Sequence, residues 1–330
     1  MTDTQVVTLV VVAIAVAMPV LWATLGELVS EKAGMINPGI EGVMLTSALV
    51  TTIAYRATQS VALALLAAVL TGVACGLLFG FLFVTRGLNQ IITGILFNLL
   101  ALGGTTTVYI AQRDLARTRV RVVQPIEIPL LADIPVLGPI FFKQNIFVYV
   151  SALAVAGIWF LMRHTWFGLS VRAAGEHPRA VEAAGIDVWR VRYLAAVIGS
   201  VMPALGGAIL VLGIVGGFNS GMSSGQGLIA LGIVVLARWN PWAAVAGSML
   251  FGVAQALQFQ AQAFPALAAV PIELWLALPY LVTILAVVLT RSSEYPRAAA
   301  IPYPPPPRRW SLRRPAPRSG NVAAAVHQGS

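Results

Sequence analysis

Residues 61–111 read VALALLAAVLTGVACGLLFGFLFVTRGLNQIITGILFNLLALGGTTTVYIA. Two apolar runs, 61–84 and 88–111, flank one short polar break, and each is long enough to cross a hydrocarbon core of about 30 Å as a helix. Working outward, further apolar segments fall at 5–25, 35–56, 145–163, 193–217, 226–237, 241–263 and 270–290. In lipid only helices and closed barrels satisfy every backbone N–H and C=O. A barrel would alternate over strands of about ten residues, whereas these runs are continuously apolar. The expected fold is therefore all-α, a polytopic transmembrane bundle of 8–10 membrane segments that includes broken or re-entrant helices.

Composition agrees. Of 330 residues, 58% are hydrophobic and 10% charged, against about 25% charged in soluble domains, and the mean hydropathy is +0.85. The first run lacks the basic n-region of a signal peptide, so it reads as a retained span. The single cysteine, Cys75, excludes an internal disulfide. From Arg291 onward the chain carries seven arginines and one acid, Glu294, so this tail supplies six of the nine net positive charges. It is also proline-rich, YPRAAAIPYPPPPRRWSLRRPAPR over 295–318. The expected organisation is a transmembrane domain, 1–290, with a polar loop at 164–192, then a disordered cytoplasmic tail, 291–330. Four segments separate the loop from the tail, which places the loop in the cytoplasm as well. The 112–144 connection then lies outside, despite its own arginines.

Two segments break helical regularity with Gly and Pro, MINPGIEG at 35–42 and FNSGMSSGQGL at 218–228. Such backbone is tolerated at membrane depth where it is buried in protein or lines a cavity. Glu41, an ionisable group inside a span, reads either as part of a translocation path or as a carboxylate satisfying broken-helix donors. Gln90, Gly94 and Asn98 share one helix face, with Asn89 and Thr93 beside it. With Asn37 and Glu41, the polar members of this set are candidates for the path, interhelical hydrogen bonding being the other reading of the stripe. Gly72, Gly76 and Gly80 recur every four residues and mark a close helix contact, within the chain or between two chains.

Catalytic motifs fail on inspection. Gly221-Met222-Ser223-Ser224-Gly225 has the G-x-S-x-G form of a serine hydrolase, but His164, His177 and His327 all lie outside the spans. Neither lysine, Lys32 or Lys143, sits in a phosphate-binding G-K-[ST] loop. No Cys/His cluster offers a metal site, and nothing points to nucleic acid. No catalytic residue, metal or cofactor is expected in this chain.

The remaining polar block is GLSVRAAGEHPRAVEAAGIDVWRVR, 168–192. Pro178 suits a first helical turn, Ala180, Ala183 and Ala184 offer a small docking face, and Gly185 suits a helix end. Arg172, Arg179, Arg190 and Arg192 are available to acids on a partner.

Five stretches in order, GELVSEKAGMINPGIEGVML (26–45), RGLNQIITGILFNLLALG (86–103), WFGLSVRAAGEHPRAVEAAGIDVWRVRY (166–193), GQGLIALGIVVLARWNP (225–241) and LPYLVTIL (278–285), resemble one family. It is the permease subunits of ABC importers of the branched-chain amino acid, ribose and simple-sugar type, closest to the nucleoside or simple-sugar subgroup. The resemblance implies a bacterial inner-membrane, multi-pass permease that pairs with a second permease, related or identical. It also implies cytoplasmic ABC ATPase subunits that hold ATP and Mg, and an extracytoplasmic substrate-binding protein. Gly175, Glu176, Pro178, Glu182, Ala183, Ala184 and Gly185 match the family's coupling loop. Their compact spacing departs from the EAA loop of other importer classes, so the ATPase contacts of those classes do not transfer. Two other classes stay open on the residues alone: a stand-alone secondary transporter or channel and, remotely, an intramembrane serine protease.

Overall fold

The computed structural model describes residues 3–112, 115, 118–129, 131–132, 134–261, 271–289 and 295–303. The helices are α1 (Asp3–Lys32), α2 (Ile40–Thr58), α3 (Val61–Phe79), α4 (Gln90–Ala111), α5 (Ile146–His164), α6 (Trp166–Glu176), α7 (Pro178–Ala183), α8 (Val188–Ile209), α9 (Gln226–Leu236), α10 (Pro241–Ala261) and α11 (Ile272–Leu289). Helices α3 and α8 continue through π-helical turns, Gly80–Thr85 and Leu210–Val215. A short antiparallel pair, β1 (Pro125–Glu127) with β2 (Lys143–Asn145), lies in the 112–144 connection. The chain is an all-α polytopic bundle, and among the described residues six helices are long and apolar enough to cross a membrane.

Local chemistry sets the helix starts. Asn89, Asn145, Thr165 and Asp187 each accept a hydrogen bond from a backbone N–H two or three residues on, at 3.0–3.1 Å. Packing then sorts the helices. In α1 and α8 61% of the most apolar window is buried, against 17% in α4, so α1 and α8 form the axis and α4 lies at the periphery. Small residues let this axis close. A Cβ added at Gly26 would lie 2.7 Å from Pro203 Cδ, and one at Gly206 would lie 2.7 Å from the Pro19 carbonyl oxygen. The Gly72, Gly76, Gly80 stripe faces α8, where a Cβ on Gly76 would stand 2.5 Å from Val197 Cα. This contact is within the chain.

The two ends of the bundle differ. One gathers Lys32 to Gly34, Thr85, α6, α7, Arg192 and Trp239. At the other, Val120 N–H donates to Gly216 O at 2.8 Å and Val123 N–H to Leu212 O at 2.9 Å, which ties the 112–144 connection to the far end of α8. The tail departs from its composition. Residues 295–303, assigned above to a disordered extension, pack on the α6–α7 end with Ala298 and Tyr303 buried. Their few apolar side chains find a matching surface there, which a composition average does not register. Residues 291–294 and 304–330, including His327, lie outside the described residues.

Candidate translocation cavity and coupling helix

Between α1 and α2 the chain turns back through residues 33–39, and the resulting loose backbone groups are met one by one. Ile36 N–H donates to Gln90 Oε1 at 2.8 Å and Asn37 N–H to Glu27 Oε1 at 2.8 Å. Gly39 N–H donates to Asn37 Oδ1 at 3.0 Å. Asn98 works in both directions, its Nδ2 donating to Pro38 O at 2.7 Å and its Oδ1 accepting from Gly42 N–H at 2.8 Å. Gly94, between Gln90 and Asn98 on the same face, leaves room for Pro38 and Gly39.

Glu41 closes the second break. It accepts from Gly225 N–H at 2.8 Å, from Gly227 N–H at 2.7 Å and from the Ser223 hydroxyl. A carboxylate thus caps the N-terminus of α9, where the orphan N–H groups and the helix dipole favour negative charge. Asn37, Glu41, Gln90 and Asn98 were candidates for a path lining. The structure gives Asn37 Oδ1, Gln90 Oε1, both amide atoms of Asn98 and both Glu41 oxygens hydrogen bonds within the chain, the second of the two readings of these residues, because broken backbone in the interior needs internal partners. Asn89 caps α4 through Ile92 N–H and is exposed, and Thr93 is half-buried beside it. Ser223 is buried and donates to Glu41, while His164 and His177 sit at the α6–α7 end of the bundle.

Next to this knot opens a cavity of about 340 Å³ between α1, the end of α8, the 222–226 turn, α10 and α11. Its lining includes Val16, Ile214, Gln226, Phe251, Gln255, Gln258, Phe259 and Tyr280, with no Asp, Glu, Lys, Arg or His among the described residues. The volume sits at the lower end of the range for small-molecule sites. Gln226 is 4% exposed, and its Oε1, like that of Gln255, accepts no hydrogen bond from the described residues. A buried amide oxygen left alone costs about 1–3 kcal/mol, so a donor in the cavity would stabilise either. Tyr280 donates to Ser224 O at 2.7 Å, which joins α11 to the turn held by Glu41. None of these glutamines was singled out from the sequence. The available signal was Gln255 and Gln258, three residues apart on one face of an apolar helix.

At the other end, α7 is built as an exposed peg. Pro178 occupies its first turn, Gly185 with φ +82° ends it, and Ile186 N–H returns to Val181 O at 3.2 Å in a Schellman arrangement. Within α7 only Val181 is buried. Arg179, Ala180, Glu182 and Ala183 face outward, as do Ala184 and Gly185 beyond it and Glu176 before it. Gly175 is buried against the Lys32 carbonyl, which seats α6 on the base of α1. Of the four arginines, Arg172 and Arg179 are exposed and Arg190 pairs with Asp187 at 3.1 Å. Arg192 departs from the expectation of a partner contact. It is 2% exposed and stacks over Tyr303 at 5.7 Å, since the tail covers it.

Residues 9–287 match the family described as branched-chain amino acid transport system, permease component. The chain is 33% identical to the guanosine ABC transporter permease protein NupQ of Bacillus subtilis, over 91% of this chain and 97% of that one. It is 29% identical to the nucleoside ABC transporter permease protein NupC of Lactococcus lactis, over 86% and 93%. It is also 35% identical, over 73% and 74%, to a protein of Haloferax volcanii provisionally named the glucose ABC transporter permease protein TsgC13. No solved structure matches. With a match over most of its length and a bundle of apolar spanning helices, the chain is a multi-pass membrane permease and belongs to the family of branched-chain amino acid transport system permease components.

Proposed function

We propose that this chain is the translocating subunit of an ABC importer for an uncharged, ring-bearing polar solute, a nucleoside foremost. The observation that carries this reading is the 340 Å³ cavity whose described lining has no Asp, Glu, Lys, Arg or His and holds two glutamine oxygens without a partner among the described residues. A zwitterionic amino acid entering such a site would leave an ammonium and a carboxylate unpaired, which costs more than a neutral solute does. Amide groups can pair with the edge of a nucleobase, and Phe251, Phe259 and Tyr280 offer faces for its ring. The likeness to permeases named for guanosine and nucleosides supports the same class. A simple sugar is the second reading, supported by the Haloferax relative.

Energy comes from outside the chain in this reading. Helix α7 with Ala184 and Gly185 is the coupling helix, and Gly175, Glu176, Pro178, Glu182 and Ala183 form or seat it. Cytoplasmic ATPase subunits carrying ATP and Mg dock there. A second permease, related or identical, completes the path, and an extracytoplasmic binding protein delivers the solute. The α6–α7 end and the C-terminus are cytoplasmic. The test is uptake into proteoliposomes that contain this chain with its partner permease and ATPase. ATP-dependent uptake of a labelled nucleoside, inhibited by unlabelled nucleoside and not by glucose, is the expected result. Inhibition by glucose alone would move the substrate to the sugar class. Uptake by this chain alone on an ion gradient would overturn the ABC reading.

A further inference from the structure

Helix α7 is weakly held by its own sequence. One buried side chain, Val181, anchors six residues, and the helix is bounded by His177 on one side and Gly185 on the other. A push applied to such a peg would be lost at these junctions unless a second attachment passed it on. Residues 295–303 supply one. Tyr303 donates to the Glu182 carboxylate on α7. The same ring lies 5.7 Å from the Arg192 guanidinium, and Arg192 Nη1 donates to Ile301 O at 3.3 Å. Ala298 N–H donates to Gly175 O at 2.8 Å on α6, and Tyr295 stacks edge-on against Trp239 at 5.0 Å. Ala298 and Tyr303 are 6% and 7% exposed.

We infer that residues 295–303 are a strut of the coupling mechanism, in which Tyr303 ties the outward face of α7, through Arg192, to α8. The inference rests on the reading of α7 as the coupling helix. Its force lies in where α8 leads. Arg192 stands in the first turns of a helical rod that runs on through Val215, and Leu210, Ile214 and Val215 line the cavity. Displacement of Glu182 is thus carried to the cavity wall along one continuous helix. The ring of Tyr303 holds the guanidinium by cation–π attraction, and its hydroxyl holds the carboxylate. That bond keeps the Tyr303 phenol protonated above its ordinary range, so it remains a donor at neutral pH. Tyr303 is a positioning residue and does not touch the solute.

The experiment uses the full chain assembled with its partner permease and ATPase in proteoliposomes, and reads ATP hydrolysed per solute transported. Tyr303→Phe keeps the ring over Arg192 and removes the hydroxyl. It is expected to raise that ratio about tenfold, the scale of one charge-assisted hydrogen bond, while thermal unfolding shifts by no more than the loss of that one bond and ATPase association stays as in the native chain. Tyr303→Ala is expected to do the same or more. In a Glu182→Ala background Tyr303→Phe should add nothing further, because the two groups act as one link. A native ratio in both Tyr303 variants, or losses that simply add in the double variant, would overturn the inference. Glu182→Arg separates the two levels. Normal uptake in that variant removes the coupling reading and the strut with it. Lost uptake in Glu182→Arg beside native coupling in the Tyr303 variants removes the strut alone.

Discussion

The segments 33–42 and 177–187 share ingredients, a proline, at least one glycine and a glutamate at a helix junction, and have opposite surroundings. In the first, Glu41 is 8% exposed and accepts three hydrogen bonds, and Asn98 and Gln90 reach across from α4 to bond its backbone. In the second, Glu182, Ala183, Ala184 and Gly185 face outward, and Val181 is the one buried anchor of α7. Buried polar groups bonded this closely to one another favour one arrangement, which suits the first loop to a scaffold. A capped peg with an exposed small-residue face has little to lose by moving, so the second suits a part that a partner grips. The same ingredients thus suit rigidity at one site and movement at the other.

Substitutions at the two glutamates test this contrast most severely. Glu41→Ala strips the acceptors from Gly225 and Gly227, and two orphaned N–H groups at about 1–3 kcal/mol each should sharply lower the unfolding midpoint in detergent and the yield of inserted protein. Glu182→Arg, which gives up the bond from Tyr303, should lower that midpoint far less and abolish both uptake and retention of the ATPase on a purification column, as should Ala183→Pro. Equal loss of midpoint in Glu41→Ala and Glu182→Arg would erase the distinction. Gly76→Leu comes next, since a side chain there meets the α8 backbone at Val197. Overpacking of this kind costs about 1–3 kcal/mol, read as lower thermal stability. Gln226→Leu belongs to neither loop and acts on the cavity. It is expected to raise KM for the nucleoside about tenfold through one lost hydrogen bond, with the unfolding midpoint unchanged or higher. Asn89→Ala should show the smallest effect, about 1 kcal/mol from a lost helix cap, measured by thermal unfolding, and no change in KM. A shift in KM there would return Asn89 to the translocation path.

Much of the site could be read along the chain, and the part that could not shares one cause. Glu41, Gln90 and Asn98 were visible as polar residues in apolar runs, but whether they face a path or a backbone depends on residues 36–39 folding against them. The stripe at Gly72, Gly76 and Gly80 announced a close helix contact without its partner, which proved to be α8. The pieces of the cavity lie at 16, 210–226, 251–259 and 276–280, too far apart for any local pattern to join them. Tyr303 sits in a segment whose proline and arginine content reads as solvated chain, and its place beside Glu182 comes from a surface built by α6, α7 and α8.

By itself the sequence determined that this is a helical membrane protein, where its helices break, and that a capped, alanine-faced helix follows α6. These properties follow from hydrophobic length, from proline and glycine, and from capping residues, all of which act within a few turns of the chain. It took the folded arrangement to show which polar groups the chain's own backbone engages, and that residues 295–303 return to α7. Hydrogen-bond partners in the interior are assigned by long-range packing, and among the described residues the Oε1 atoms of Gln226 and Gln255 have none.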